Sequence, residues 1–301
     1  MQISFLIVTK NRVKELEFTL EKLEAIIDKK IHEVLVFIDG CINTEKIIKD
    51  YDWIRWTVSK NSISASPSRQ ILYKKAKGNI LVGLDDDAHP VSSNFINEIE
   101  TTFKSNSNIG IIAFQEIRGV FETDADAMKL VEDKESYFTN DFVGCGFAIL
   151  KQVYNKTRGF PVWIDIYGEE PALSLEVLDL GYAIFFQPNI IVNHRVNTNK
   201  RKEQGRNYFR FEHLLKNTIR LYLVYYPHPF FKVMKTLWHN FKKYAITNRY
   251  YFTSFCKVAF STLHNLPEIF KYRRPVKRET ITQRFNLKRL QYNTTTSNKS
   301  K

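Results

Sequence analysis

Cysteine is scarce in this chain: three in 301 residues, at positions 41, 145 and 256. No CxxC pair or Cys/His cluster occurs, which excludes a disulfide framework and a structural zinc site and leaves reduced thiols of a cytosolic protein as the expectation. Long apolar runs are missing too. No uninterrupted apolar stretch reaches about 18 residues, so no membrane-spanning helix is expected. The opening residues lack a basic leader and a small-residue cleavage site, and read as a first β-strand rather than a signal peptide. A glycine-rich phosphate loop near the N-terminus is also absent, which counts against a nucleotidyltransferase. Acid is scarce at one end only. From Arg195 to Lys301 there are 24 Lys and Arg against 4 Asp and Glu, an excess of +20. Against the net charge of +13, that leaves −7 for residues 1–194. An acidic body with a basic tail points to a polyanionic partner.

What is present is enough for a core: 44% of the residues are hydrophobic and 14% aromatic, which excludes a disordered chain. Short apolar, β-branched runs at 3–8, 33–38, 53–58, 79–84 and 110–114 read as strands. Between them, 13–27, 68–76 and 94–103 read as helices, the first with an apolar face of Leu16, Phe18, Leu20, Leu23 and Ile26. Near-continuous apolar strands separated by helices predict an α/β fold with a doubly wound, mostly parallel sheet. Further on, 169–180 reads as a helix, 182–186 and 190–192 as two short strands, and 207–225, 230–244 and 251–269 as helices rich in aromatics. This divides the chain into an α/β domain at 1–204, a basic aromatic helical extension at 205–292 and a disordered tail at 293–301.

In doubly wound sheets ligands bind beyond the carboxyl ends of the strands. There the sequence places Thr9, Asn11 and Arg12, then Asp39-Gly40, then Asp85-Asp86-Asp87. Three consecutive carboxylates repel one another unless a cation or wide hydration relieves them, and a hard divalent ion held by oxygens is the usual relief. An acid in the place of Asp39 can accept hydrogen bonds from ribose hydroxyls or a base N–H. Glu169-Glu170-Pro171 opens a helix, where acids are ordinary, but one such carboxylate can also serve as a general base. His194 follows a short apolar strand and is a candidate ligand for metal or phosphate.

From Met1 to about Val196 these features, taken in order, resemble the family 2 glycosyltransferases of bacterial cell-surface polysaccharide type. Ser4-Phe5-Leu6-Ile7-Val8-Thr9-Lys10-Asn11-Arg12 is similar to that family's opening strand and loop. Asp39-Gly40 resembles its nucleotide-binding acid, and Asn61 to Arg69 with Ala76-Lys77-Gly78 its following segment. Asp85-Asp86-Asp87 resembles its DxD metal motif. Gly159-Phe160 with Gly168-Glu169-Glu170 resembles its acceptor-side motif, and Gly181-Tyr182, Pro188 and His194 its closing motif. Ile63 and Ser64 stand where the family carries glycine, Gln70 where it commonly has Asn, and Glu170 where Asp is more frequent. The resemblance implies a GT-A fold with a mixed sheet and an inverting, metal-dependent transfer from a nucleotide-diphosphate sugar, UDP-linked, to a saccharide or lipid-linked acceptor. It implies donor contacts from Thr9, Asn11, Arg12, Asp39, Arg69 and Asp86. Asp85, Asp87 and His194 would hold Mn2+ or Mg2+, and Glu170 or its neighbour Glu169 would be the base.

The basic extension interleaves Tyr, Phe and Trp with Lys and Arg, which suits an anionic membrane surface and a peripheral place at the inner face of the cell membrane. A helical subdomain packed on the body with a solvated basic face is the competing reading. Nucleic acid is not expected as a partner, because it leaves the acidic triplet unexplained. A non-catalytic sugar-binding relative is the remaining alternative, and the intact triplet and Glu170 argue against it.

Overall fold

The computed structural model describes residues 2–131, 135–197 and 206–290. Its parallel half is built from β1 (Ile3–Thr9), β2 (Glu33–Asp39), β3 (Ile54–Ser59) and β4 (Ile80–Asp85). The other half holds β5 (Ala88–Pro90), β6 (Ile109–Arg118), β7 (Tyr137–Thr139), β8 (Gly146–Leu150) and β9 (Ala183–His194). These form one nine-stranded sheet in the order β3-β2-β1-β4-β8-β6-β9-β5, with β7 on β9 outside that path. The sheet is mixed, as the resemblance implies, and not mostly parallel, as the strand pattern alone suggests. Four parallel pairings are matched by four antiparallel ones. An apolar run such as 147–150 reads the same in either direction, so periodicity could not show that β8 runs against β4 and β6.

Both faces of the sheet are buried, which is why the strands read as continuous apolar runs. Phe5 and Ile7 of β1 pack with Val34, Val36 and Val82 beneath α1 (Val13–Glu24) and α4 (Phe95–Ser105). Leu6, Leu35, Phe37 and Leu81 face the other way, beneath α3 (Ala65–Lys75) and α7 (Glu169–Asp179). Single-turn helices α2 (Ile42–Glu45), α5 (Asp124–Met128) and α6 (Lys151–Tyr154) fill connections. On α1 the buried residues are Leu16, Thr19, Leu20 and Leu23. Phe18 belongs instead to the rim, its ring 4.6 Å from the Arg195 guanidinium, and Ile26 lies past the helix end.

The two short strands expected at 182–186 and 190–192 are one strand, β9. Its register on β6 jumps between Phe114↔Gln187 and Gln115↔Ile191, so the stretch around Pro188 is accommodated as an irregularity. The second half of β9 thereby carries His194 to the same level as Arg118 and Ala88.

Residues 206–290 are helical: α8 (Tyr208–Tyr225), α9 (Pro229–Asn240), a π-turn at Phe241–Ala245, α10 (Arg249–His264), α11 (Leu266–Lys271) and α12 (Arg278–Asn286). They do not hang free. Phe211, Leu215 and Ile219 of α8 share a core with Ala172 and Leu175 of α7 and with Ile164. A fully buried side chain of this size contributes about 1.5–3 kcal/mol, so a few of them rival the whole net stability of a domain, about 5–15 kcal/mol. The buried Asn217 of α8 also reaches the loop before α7, donating to Asp165 Oδ1, Ile166 O and Tyr167 O at 3.0, 2.8 and 3.0 Å. The boundary at 204/205 and the tail at 293–301 lie outside the described residues.

Candidate active site

The carboxyl ends of β1, β2 and β4 lie level, Thr9 beside Ile38 and Val8 beside Asp85, so the acidic triplet emerges at the sheet's ligand rim. Charge repulsion in the triplet is relieved by arginines. Arg12 Nη1 lies 2.8 Å from both Asp86 Oδ1 and Asp87 Oδ2, and Arg69 Nη2 donates to Asp85 Oδ1 at 2.7 Å. Repulsion among the three carboxylates therefore does not by itself call for a metal. What each member faces is more informative.

Asp86 is held inward by Thr9 Oγ1 at 2.8 Å as well as by Arg12. Burial pushes its carboxyl up to about 6, partly offset by Arg12 and reinforced by Asp87. Asp87 turns to the other side. Burial works against its charge, yet His194, Arg12 and Arg195 outweigh it and hold the group down at about 2. Its Oδ1 lies 3.2 Å from His194 Nε2 and, though buried, has no hydrogen-bond partner among the described residues. Ligand atoms of Asp85, Asp87 and His194 all lie within 4.8 Å of one another.

Glu116, at the end of β6, was not singled out by sequence reasoning. Its Oε1 is 2.5 Å from His194 Nδ1, and its Oε2 accepts from Arg118 Nη2 at 2.8 Å. A carboxylate on one ring nitrogen fixes the imidazole and leaves the other nitrogen facing the ligand, the usual arrangement behind a metal-binding histidine. Burial disfavours the charged imidazole, but the carboxylates of Asp87 and Glu116 on its two nitrogens raise its pKa above the ordinary value. Cys145 itself is no thiolate, because burial pushes it up to about 12. Two carboxylates and an imidazole with an unsatisfied carboxylate oxygen fit a divalent cation. The nitrogen tips the set from Mg2+ towards Mn2+.

Arg69 ties this cluster to the candidate base. Its Nη1 lies 3.1 Å from Glu169 Oε1 and 3.7 Å from Glu170 Oε1, while Nη2 holds Asp85. Gly144 makes room for the junction: a Cβ there would sit 2.5 Å from Glu170 Oε1 and 2.9 Å from both Arg69 Nη atoms. The residue implied as a donor contact is thus an electrostatic bridge between the triplet and α7.

Two expected donor residues have their hydrogen bonds elsewhere. Both oxygens of Asp39 already accept from the 62–64 loop: Ser62 Oγ at 2.6 Å, Ile63 N at 2.6 Å and Ser64 N at 3.1 Å. Asp39 is therefore the anchor of that loop. Asn11 pairs with Cys41, whose Sγ donates to Asn11 Oδ1 at 2.8 Å. The loop that Asp39 anchors carries strain. Ser64 sits at φ 76°, ψ 169°, a region that is essentially glycine-only and costs about 1–3 kcal/mol. Ser64→Gly should therefore raise the unfolding free energy by about 1 kcal/mol, after the entropy glycine itself loses. Urea denaturation measures this, and an unchanged or lower midpoint refutes it.

By sequence alone, no family model and no curated protein matches the chain. Solved structures with a similar fold exist. GalNAc-T7 with UDP, GalNAc and Mn2+ superposes with a TM-score of 0.59 at 18% identity over 76% of this chain, which spans 49% of that protein. The mannosyltransferase PcManGT from Pyrobaculum calidifontis, in complex with GDP-Man and Mn2+, gives 0.56 at 12% identity, covering 94% of this chain and 83% of its own. TarS residues 1–349 of S. aureus with UDP-GlcNAc gives 0.56 at 14%, covering 81% and 73%. At such identities the likeness lies in the architecture, and it is a consistent one: the chain has the GT-A fold of glycosyltransferases.

Proposed function

We propose that the chain is a metal-dependent glycosyltransferase that passes a sugar, with inversion, from a nucleoside-diphosphate donor to a saccharide or lipid-linked acceptor in glycan assembly at the cytoplasmic side of a membrane. The observation that carries this reading is the convergence of Asp85, Asp87 and His194 at the strand ends of a GT-A sheet. The structures it resembles include complexes with UDP, GDP-Man and UDP-GlcNAc, two of them with Mn2+.

Asp85, Asp87 and His194 would hold Mn2+ or Mg2+, which when bound stabilises negative charge on the departing diphosphate. Thr9 and Arg12 hold Asp86, and Arg12 also holds Asp87, so the triplet keeps one orientation before the donor arrives. Such preorganisation lowers the reorganisation needed as charge develops. The strained 62–64 loop, anchored by Asp39, would face the nucleoside. Glu170 would take the acceptor hydroxyl's proton as its oxygen bonds to the anomeric carbon and the bond to the diphosphate breaks. A single displacement from the opposite face inverts that carbon.

Thermal shift with a panel of UDP- and GDP-sugars, with and without Mn2+, tests the donor site. Native-state binding stabilises by RT ln(1 + [L]/Kd), about 2.7 kcal/mol at a hundredfold excess over Kd, which is a rise of several degrees. The rise should need donor and metal together. No shift with any nucleotide or sugar nucleotide in Mn2+ would refute the reading, and the anomer formed, read by NMR, tests inversion.

A further inference from the structure

The helical region carries a second surface that the cleft chemistry does not use. No residue of α9 is buried. Val233 and Leu237 turn partly towards the core shared with α8. On the side next to it, about 110° round the helix, Phe231, Met234 and Trp238, spaced i, i+3 and i+7, point outward, with Phe231 73% and Trp238 59% exposed. Phe230, and Ile246 beyond the π-turn, are exposed as well. The stripe is edged by cations: Lys232 and Lys235 are exposed, and Lys242 Nζ sits 4.6 Å over the Trp238 ring. Contiguous apolar surface of this kind is uncommon on a monomer and marks an interaction site.

Charge decides what covers it. Between Glu212 and Glu268 there is no acidic residue, while eight Lys and Arg occur at 216, 220, 232, 235, 242, 243, 249 and 257. A second copy meeting this face with its own would set like charges against each other, which disfavours self-association. Aromatic rings fringed by lysines fit the headgroup layer of a bilayer, with rings at the acyl boundary and cations at anionic lipid phosphate. Among the described residues no helix is long and apolar enough to cross a membrane, so the contact is one of lying on the surface.

We propose that the outer face of α9 and the π-turn docks the protein on an anionic lipid surface, with Phe231, Met234 and Trp238 entering the headgroup layer and Lys232, Lys235 and Lys242 contacting lipid phosphates. α9 packs on α8, and α8 is tied to the loop before Glu169 through Asn217. The docking itself does not depend on the reading of the cleft, and its test uses no activity measurement.

The full chain is floated with vesicles of phosphatidylcholine alone or with about one third phosphatidylglycerol, at about 0.1 M and about 1 M NaCl, where the Debye length falls from about 10 to about 3 Å. It should float with the anionic vesicles at low salt, at least about tenfold less at high salt, and hardly at all with neutral ones. Lys232→Glu with Lys235→Glu should lose low-salt binding. Phe231→Ser with Trp238→Ser should abolish the salt-resistant remainder, since apolar insertion is not screened. All four positions are exposed, so melting temperatures should stay unchanged. Failure of the full chain to float, equal flotation with neutral vesicles, or variants that float like the parent overturns the proposal. So does a concentration-dependent dimer, seen by light scattering and abolished by Phe231→Ser with Trp238→Ser, without vesicle binding.

Discussion

Replacing Asp87 by Ala should remove the metal-dependent melting shift and cut turnover by at least about 10²-fold. Asp87 offers the only oxygen in the triplet that is buried without a hydrogen-bond partner among the described residues, and it faces His194 Nε2. A lost charged ligand leaves the leaving diphosphate without several kcal/mol of stabilisation, and each 1.36 kcal/mol is about tenfold in rate. The fold should survive, because Arg12 keeps Asp86 at 2.8 Å. Glu116→Gln should act more mildly, weakening Mn2+ affinity by about 10–100-fold, since it alters the support of His194 and not the ligand set. Metal affinity should also fall as pH falls. Asp87 and Glu116 favour a proton on His194, and a cation must displace that proton to bind nitrogen. Titration of Mn2+ by calorimetry or EPR reads all three effects. Full turnover in excess EDTA, or an intact Mn2+ shift in Asp87→Ala, would refute the assignment.

How far the sequence could carry these inferences depended on distance along the chain. β1, β2 and β4 were legible because burial on both faces leaves unbroken apolar runs, and the acids at their ends were legible because the rim follows the strands directly. The Glu116–His194 pair was not, since 78 residues separate its members and neither breaks a local pattern. The bridge that Arg69 makes was not legible either, because nothing local shows that Asp85 and Glu169 converge on it. The departure at Ser64 was visible in the sequence, but its consequence, a backbone in a glycine region, is visible only as an angle. α12 carries too little apolar periodicity to be seen, and it is held by tertiary contacts such as Thr280 Oγ1 donating to Asp179 Oδ1 at 2.7 Å. The basic aromatic extension supported two readings, packed subdomain and membrane face; α8 packs inward as the first expects, and α9 leaves an exposed face on which the second rests as a proposal.

Glu170→Gln should lower kcat by about 10²–10⁴-fold while leaving the donor-induced melting shift unchanged, which separates chemistry from binding. The sequence offered two adjacent carboxylates and no means of choosing. Exposure and partners choose now. Glu169 has a side chain 4% exposed and lies 3.1 Å from Arg69 Nη1, as an ion-pair residue would. Glu170 is 3.7 Å from the same atom and 21% exposed beside Gly144, so an acceptor hydroxyl can reach it. Burial, then the charge of Glu169, raise the Glu170 carboxyl well above its ordinary range, while Arg69 pulls it back. A base has to be unprotonated to act, so activity should fall as pH drops through that raised pKa. The acid limb of kcat/KM should then lie above the ordinary glutamate value of about 4.3. Glutamine keeps the shape but takes no proton, and the residual rate of Glu170→Gln should lack that limb. Glu169→Gln should mainly loosen Arg69, with a smaller loss of kcat and a lower melting temperature. A large kcat loss in Glu169→Gln beside a loss under tenfold in Glu170→Gln would reverse the assignment, and an acid limb that persists in Glu170→Gln would show that another group takes the proton.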